Sequence, residues 1–483
     1  MNILLYNFVQ YDEKGNPGGG VTVYLKNLVN ELLSQGHKVI FLSSGDRYDF
    51  FNRDPYIKFF EDKGVLRCII YNSPFIAPSA SSFHQPNVFV DDNRLNDLTR
   101  ILYERLPDID VFHFHNIEGL TSRFLIELRN IYKQSKFIYS VHNYNLLCMQ
   151  VNLWKNNKKN CISYEDGKGC VNCVEYRDIH KHEANIKYLN SILKKIVDES
   201  SFLGKLIYKI AKIIYHKYRY VYNSKNLKKY KDICIDRDVD DQSIKFKMFR
   251  ENNIKLMSVY FDYIISVSNR TDNILKKFGF EKNNMSVEYI GTKFSSAFKD
   301  AVLKDKYLDN LTIGYLGYMR SDKGFDFFLE SLKEMPLEIS KKINVIIAAK
   351  YRDKLTLDNI NSLKYKFNCI KLYNGYNHEN IKEILEFIDL GIIPVQWEDN
   401  LPQVAIEFVA NGIPILCSDL GGPSEIYSKD PKFTFIHDDK LDFYSKINFL
   451  VENPNALSLF WENDIKIFSM REHSKQLVDF YYS

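Results

Sequence analysis

The sequence lacks any apolar run that approaches the roughly 20 residues needed to span a bilayer as a helix. It opens with MNILLYNFVQY, which has neither a basic leader nor a long apolar stretch, so no signal peptide is visible. We therefore expect the protein to work in the cytoplasm, either free or at the inner face of the plasma membrane.

An excess of charge of one sign is also lacking, and cysteine is scarce. The 483 residues carry 65 Lys and Arg against 61 Asp and Glu, which gives a formal net charge of +4. This balance provides no bulk electrostatic signal for nucleic acid, and we expect no nucleic-acid partner. The 8 cysteines are too few for a disulfide scaffold in so long a chain, so free thiols or metal ligands are favoured.

What the sequence does contain is a regular alternation of strands and helices. MNILLYNFV is a short β-rich run, GGGVTVYLKNLVNELLSQG follows with apolar residues at helical spacing up to Gly36, and KVIFLSS is the next strand. The pattern continues through strands at 110–116, 136–143 and 261–268, with a helix around 119–132. This β-α-β order predicts a parallel sheet with helices on both faces.

The pattern restarts after residue 310 with LTIGYLGYM, INVIIAAK, CIKLYNGY, LGIIPVQW and IPILCSD as strand candidates. The sequence thus predicts an α/β protein with two doubly wound domains, over 1–295 and 305–465. We expect 466–483 to form a helix that crosses back to the first domain. Ligands of such folds bind at the carboxyl ends of the strands, here between the domains.

Residues 397–426, WEDNLPQVAIEFVANGIPILCSDLGGPSEI, carry the clearest chemistry. Asp399 follows a predicted strand and Glu407 lies on the next helix, so the two carboxylates could hold hydroxyls several ångströms apart. Gly421 and Gly422 would let backbone N–H groups approach an anion at the start of a further helix. Carboxylates for hydroxyls beside bare amides for phosphate indicate a nucleotide-sugar ligand.

These motifs resemble the retaining glycosyltransferases of family 4, the glycosyl transferases group 1, which have the GT-B fold of two facing Rossmann-like domains. The family pattern of two acids with seven residues between them is met by Asp399 and Glu407, although relatives usually have Glu at the first position. NGIPILCSD and GGPSE follow as in the family. Six further blocks agree in order along the chain, namely GGGVTVYLKNLVNELLSQGHKV, DVFHFHN, YSVHNYNLLC, FDYIISVS, IGYLGYMRSDKGFD and MREHSKQLVDFY.

The resemblance implies a role for each matching residue. Asp399 would hold the sugar hydroxyls, and cations and N–H donors would stabilise the departing diphosphate. No catalytic metal is required, because Lys, Arg and helix ends neutralise that charge. The implied catalytic residues are His142, Asp399, Lys323 and Arg320. The implied donor-binding residues are Gly19, Gly20, Glu407, Gly421, Gly422 and Glu425.

Two parts of the resemblance are looser. Arg320 stands two residues beyond Tyr318, which occupies the position where relatives usually have the Arg. His113 and His115 alternate with phenylalanines on one predicted strand, so both share a face of it. They are acceptor-side candidates, although histidines at strand ends more often pack or hydrogen-bond.

An insert of about residues 148–255 interrupts the first domain and contains Cys148, Cys161, Cys170 and Cys173. Four thiolates with one C-x2-C pair suit a structural zinc ion, although twelve residues split the usual second pair. The alternative is reduced cysteines packed in a loop, and the sequence leaves both open.

The same insert contains LGKLIYKIAKIIYHKYRYVYNSKNLKKYK, residues 203–231, which has no acidic residue. Its apolar side chains gather on one side of a helical wheel and its lysines on the other. This pattern predicts a helix lying on an anionic membrane surface. The alternative is a helix that packs its apolar face on the first domain and leaves its lysines in water.

The resemblance predicts a retaining glycosyltransferase that moves a sugar from a UDP- or GDP-sugar to a saccharide or lipid-linked saccharide, in bacterial surface polysaccharide synthesis. An epimerase of the same fold is the alternative enzyme, and it gives no reason for the basic helix. A catalytically silent protein that binds nucleotide-sugar is the alternative outside enzymes, because Asp399 and Tyr318 depart from the family pattern.

Overall fold

The computed structural model describes residues 1–12, 18–83, 92–174, 180–196, 239–281, 283–294, 310–376 and 380–483, with scattered positions between 201 and 217. Most of the segment 203–231, together with Cys234, lies outside the described residues. The described chain forms an α/β fold built on two large sheets, as the sequence predicts.

Eight strands form the sheet of the amino-terminal domain. They are β1 (Asn2–Tyr6), β2 (Lys38–Arg47), β3 (Tyr56–Asp62), β4 (Val65–Tyr71), β5 (Val111–Phe114), β6 (Lys136–Val141), β9 (Tyr263–Ser266) and β10 (Met285–Val287), while β7 (Trp154–Lys155) and β8 (Lys159–Asn160) pair separately. The order is β10-β9-β6-β5-β1-β2-β4-β3, parallel except for the β3–β4 hairpin. The chain extends in opposite directions from β1, so the switch point lies between β1 and β5.

Six parallel strands form the sheet of the carboxy-terminal domain, in the order β14-β13-β12-β15-β16-β17. They are β12 (Leu311–Tyr318), β13 (Ile343–Lys350), β14 (Cys369–Asn374), β15 (Leu390–Ile393), β16 (Ile415–Ser418) and β17 (Thr434–Phe435). The central strands are near-continuous apolar runs because both faces of a parallel sheet are covered. Here the switch point lies between β12 and β15, and their carboxyl ends face the first domain.

Helices flank both sheets. They are α1 (Gly20–Ser34), α2 (Asn96–Arg105), α3 (Ser122–Ile131), α4 (Lys168–Val171), α5 (His180–Ile196), α6 (Val239–Tyr260), α7 (Asn269–Lys277), α8 (Phe325–Glu334), α9 (Leu337–Ser340), α10 (Lys354–Asn361), α11 (Ile381–Leu385), α12 (Gln403–Ala410), α13 (Lys440–Glu452) and α14 (Met470–Tyr482). Among the described residues, none of the helices is long and apolar enough to cross a membrane.

The last helix, α14, packs on the amino-terminal domain. Two short strands, β11 (Gly291–Thr292) and β18 (Phe468–Ser469), pair in parallel just before it. A capping box, formed by Ser469 and Glu472, starts the helix. Its side chains then reach back, so that Ser474 Oγ accepts from Gln35 Nε2 at 2.6 Å.

Candidate active site

A cleft of ≈ 780 Å³ lies between the two domains, at the carboxyl ends of their strands. The amino-terminal domain contributes the start of α1, His142 and Ile290. The carboxy-terminal domain contributes the ends of β12, β13 and β15 and the loop that leads into α12. This volume and position are typical of a small-molecule site in a doubly wound fold.

Asp399 and Lys323 form an ion pair in this cleft. The Lys323 Nζ lies 2.5 Å from Asp399 Oδ2 and 4.9 Å from the centre of the Trp397 ring. Asp399 is 6 % exposed, and a carboxylate buried to this extent needs such a partner. The pair places a cation and a hydroxyl acceptor side by side.

Glu407, on α12, is the second carboxylate of the cleft and is 7 % exposed. The Tyr376 hydroxyl donates to its Oε2 at 3.5 Å. Burial raises the pKa of Glu407 to about 7, and the positive charge of Lys293 opposes that rise. The carboxyl therefore gains or loses its proton near neutral pH, whereas an ordinary glutamate side chain is fully ionised there.

The first turn of α1 faces these acids from the other domain. Gly19, at the amino-terminal end of α1, has φ 63°, a left-handed conformation that favours glycine. At Gly20 a Cβ would lie 3.0 Å from Gln403 Cγ, which shows how closely the two domains approach. The unpaired N–H groups of a helix start attract anions, so this turn suits a phosphate.

His142 lines the cleft just after β6. Its Nε2 lies 2.9 Å from Nδ1 of His115, and its ring centre lies 4.9 Å from that of Tyr24. Burial and the neighbouring His473 lower the pKa of His142 to about 3, so the ring is neutral at physiological pH.

His113 and His115 lie behind His142 and do not line the cleft, since they are 0 % and 1 % exposed. His113 Nδ1 lies 2.7 Å from the Tyr481 hydroxyl of α14, and its Nε2 lies 2.7 Å from Ser140 Oγ. In this structure neither ring reaches the space that a ligand would occupy.

Arg320 also lies outside the cleft lining. Its guanidinium donates to both carboxylate oxygens of the buried Asp322, at 2.9 and 2.7 Å. The ion pair is local because the two residues share one turn, so Arg320 would have to leave Asp322 to reach a phosphate.

Gly421 and Gly422 pack against the loop that carries Asp399. A Cβ on Gly421 would lie 2.2 Å from Asp399 O, and one on Gly422 would lie 2.2 Å from Asn400 O. Gly422 N donates to Asp399 O at 2.8 Å. The two glycines therefore hold the Asp399 loop in place and do not themselves line the cleft.

Glu425 joins the two domains. It is 2 % exposed, and its carboxylate accepts from the backbone N–H of Asn269 at 2.9 Å and of Arg270 at 2.7 Å, at the start of α7. The Tyr289 hydroxyl donates to it at 2.6 Å. Arg270 in turn donates to Glu398 through Nε at 2.8 Å. In this structure Glu425 fixes the domain arrangement.

The four cysteines of the insert line one small cavity with Phe83, Trp154 and Arg250. Burial raises the pKa of Cys170 to about 12, so its thiol is uncharged. Within the described ranges, no three His, Cys, Asp or Glu side chains are arranged to hold a metal ion. A shared zinc ion would require the sulfurs to move together, so zinc stays a prediction.

Several cleft residues were missed by sequence reasoning. Lys350 and Asn374 end β13 and β14, Tyr376 follows β14, and Tyr24 lies on α1. The rule that ligands bind at the carboxyl ends of parallel strands would have indicated the first three, because each lies at or just after a predicted strand. Nothing local to the sequence distinguishes Tyr24 from a core residue.

Known proteins support this architecture. Residues 299–466 match the family model described as Glycosyl transferases group 1. An uncharacterized 42.6 kDa protein in the cps region of Klebsiella pneumoniae is 23 % identical over 227 residues, 47 % of this chain and 54 % of that protein. An uncharacterized glycosyltransferase of Methanocaldococcus jannaschii is 20 % identical over 224 residues, 45 % of this chain and 57 % of that protein. The chain thus matches about half the length of these curated relatives.

The whole chain also aligns with a solved structure. The α,α-trehalose-phosphate synthase (UDP-forming) of Burkholderia xenovorans, in complex with glucose-6-phosphate, superposes with a TM-score of 0.55 at 11 % identity, covering 100 % of both chains. At this identity the likeness concerns the fold. Over residues 299–466 the chain is therefore similar to the glycosyl transferases group 1 family, and the chain as a whole has the GT-B fold.

Proposed function

We propose that the protein is a retaining glycosyltransferase that uses a nucleoside-diphosphate sugar. The observation that carries the proposal is the meeting of the Asp399–Lys323 pair, Glu407 and the first turn of α1 in one interdomain cleft. The acids suit hydroxyls of the sugar and ribose. The lysine and the helix start suit the diphosphate between them.

The chemistry follows from this charge arrangement. The bond between the anomeric carbon and the diphosphate oxygen breaks, and a bond from that carbon to an acceptor hydroxyl oxygen forms on the same face. The departing diphosphate takes the acceptor's proton. Lys323 and the N–H groups of α1 stabilise the negative charge that develops on the leaving group.

The comparisons support a uridine donor and a saccharide acceptor. The Burkholderia xenovorans synthase is UDP-forming and its structure holds glucose-6-phosphate. The Klebsiella pneumoniae relative is a protein in a cps region, which supports a place in surface polysaccharide synthesis. Our proposal is a UDP- or GDP-sugar donor, a saccharide or lipid-linked saccharide acceptor, and work at the cytoplasmic side of the membrane.

The described residues of the basic segment 203–231 support the proposed contact with a membrane. Leu206, Ile210, Ile213 and Ile214 are 46 %, 47 %, 59 % and 62 % exposed. Exposed apolar side chains of this size indicate an interaction surface, and a lipid surface would cover them while pairing with the exposed Lys209 and Lys217.

A donor screen tests the function. Full-length protein is mixed with UDP- and GDP-sugars, binding is followed by thermal shift, and nucleotide release and sugar products are followed by chromatography. We expect one donor to raise the melting temperature and release its nucleoside diphosphate with the sugar transferred or hydrolysed. Release of an epimerised sugar would support the epimerase, and binding without turnover on any acceptor tried would support the silent protein.

A further inference from the structure

A buried group of histidines lies directly behind the cleft. His113 and His115 project from the same face at the end of β5, with ring centres 4.2 Å apart. His142 follows β6 and His473 lies on α14. Of these four, only His142 lines the cleft among the described residues, so His115, which contacts it, acts on a ligand through His142.

The contact between His115 and His142 joins Nδ1 of the first to Nε2 of the second at 2.9 Å. His115 is 1 % exposed, and its Nε2 has no hydrogen-bond partner in the part of the chain that the structure describes. His142 is partly exposed where it lines the cleft, and its second nitrogen, Nδ1, is the one left for a ligand.

Both rings are neutral, because burial lowers the pKa of His115 well below its ordinary value and that of His142 to about 3. Each therefore carries one N–H, and a single proton lies between them. If His142 donated it, the proton of His115 would sit on Nε2, as a buried N–H without an acceptor. If His115 donates this proton from Nδ1, its Nε2 carries no hydrogen and is only an acceptor without a donor.

The second arrangement is favoured, because orphaned buried N–H donors are rarer in proteins than under-satisfied acceptors. It also determines the state of His142. With its Nε2 accepting from His115, the neutral ring of His142 must carry its own proton on Nδ1.

We propose that His115 is a positioning residue that holds His142 with its proton on Nδ1, so that His142 donates a hydrogen bond to a hydroxyl oxygen of the donor sugar. His142 is then not the base that removes the acceptor's proton. The assignment of a sugar as the ligand rests on the proposed function, whereas the position of the proton does not.

Tyr24 packs against both rings of this contact. Its ring centre is 4.9 Å from that of His142 and 5.7 Å from that of His115, and its hydroxyl lies 2.8 Å from Nε2 of His473. The ring of His142 is thus held by an imidazole partner and by an aromatic ring that packs on both, which keeps its Nδ1 in one direction.

The position of the proton is testable without any activity. Histidine-selective ¹⁵N NMR of the full-length protein, with His142→Ala to assign the signals, should show His142 Nδ1 as a protonated nitrogen and Nε2 as an acceptor. His115→Phe should abolish this preference. His113→Phe removes an equally buried ring that hydrogen-bonds to Tyr481 and Ser140 instead of His142, and should leave His142 protonated on Nδ1. A wild-type His142 protonated on Nε2 would overturn the inference.

The role in transfer is tested with two variants of His115. His115→Asn keeps an N–H donor near the position of Nδ1 and should retain most activity. His115→Phe should lower donor kcat/KM by about 10-fold to 100-fold, the usual loss when the outer partner of a site residue is removed, with a raised donor KM. Equal kinetics of the two variants would contradict the role. Absence of turnover in the wild type would reject the proposed function and leave the NMR result standing.

Discussion

At the scale of single residues, Glu407 has a carboxyl whose charge changes near neutral pH. Burial raises its pKa to about 7, so it is largely protonated at pH 6 and largely ionised at pH 8. An ionised carboxylate accepts two hydroxyls more strongly than a neutral acid. We therefore expect the affinity for the nucleotide-sugar donor that the screen identifies to rise between pH 6 and pH 8, as measured by isothermal titration calorimetry.

Glu407→Gln provides the control for this pH dependence. The amide has no charge to gain, so the variant should bind the donor more weakly than the wild type at pH 8 and show little change with pH. The raised pKa of Glu407 also makes the free energy of unfolding depend on pH. The contribution of the Glu407 carboxyl to stability is fully present below about pH 4.5 and is lost as the pH rises through about 7. Equal donor affinities of the two proteins at both pH values would remove Glu407 from the site, and a difference that does not vary with pH would contradict its titration near pH 7.

Lys323 balances the charge of Asp399 and, in our proposal, also stabilises the leaving diphosphate, and the ion pair allows the two roles to be separated. Lys323→Met leaves the buried Asp399 without its cation, so we expect a loss of about 1 to 3 kcal/mol in the free energy of unfolding as well as a loss of turnover. Adding Asp399→Asn should restore most of the stability but none of the turnover. Restored turnover in the double variant would show that Lys323 only balances charge.

At the scale of elements, the loop of Gly421 is fixed by its contact with the Asp399 backbone. Gly421→Ala should cost more than the roughly 1 to 2 kcal/mol of a left-handed φ alone, because its Cβ would lie 2.2 Å from Asp399 O. Gly36→Ala is the matched control, since Gly36 has φ 82° and open space around it. Urea unfolding measures the free energy of unfolding of both variants, and equal losses would show that the loop of Gly421 shifts to accommodate the added Cβ.

The cysteine loop gives a second prediction at this scale. We expect metal analysis of untagged protein to find near-stoichiometric zinc that is lost in the Cys170→Ser, Cys173→Ser variant, together with local unfolding of the loop. Cys369→Ser, at an exposed cysteine elsewhere, should keep the metal. A well-folded, metal-free wild type would leave four reduced thiols packed around one cavity.

Most of the predictable elements are strands buried on both faces. β12, β13 and β15 are continuous apolar runs, and the sequence predicts each. The β3–β4 hairpin was missed although Val65–Tyr71 is also apolar and mostly buried, whereas its partner Tyr56–Asp62 is an edge strand with Lys58, Phe60 and Glu61 exposed.

The site was predictable to the extent that its residues follow strands. Asp399, Glu407 and Lys323 face the cleft, but the local engagement of Arg320 by Asp322 and of Glu425 by the start of α7 depends on side chains that only the fold brings together. No spacing along the chain shows that a carboxylate is already occupied by a partner in another domain.

At the scale of the whole molecule, the basic segment bears on where the protein works. Each lysine near an anionic leaflet contributes about 1 kcal/mol, so changing Lys205, Lys209 and Lys212 to Glu should weaken partitioning onto anionic vesicles by more than about a hundredfold. Transfer to a lipid-linked acceptor should slow, while donor hydrolysis, which needs only the cleft, should continue.

Co-sedimentation with vesicles at low and high salt measures this effect, since screening should imitate the substitutions. A control with the same change of net charge changes Lys158, Lys354 and Lys364, exposed lysines outside the segment 203–231, to Glu and should stay bound. Wild-type protein that stays in solution at low ionic strength would show that the segment packs on the protein itself.

The return of α14 to the first domain has a consequence for the order of synthesis. Tyr24 and His473 are 449 positions apart, and His113 and Tyr481 are 368 apart. At typical elongation rates of about 5 to 20 residues per second, the ribosome needs roughly 20 to 70 s to pass from the second histidine-bearing strand to the helix that covers it. Throughout that time the nascent first domain lacks the helix α14 that covers one side of its core, so the histidine rings behind the cleft are exposed to water. The wall behind the cleft is thus completed by a helix that is made after the second domain.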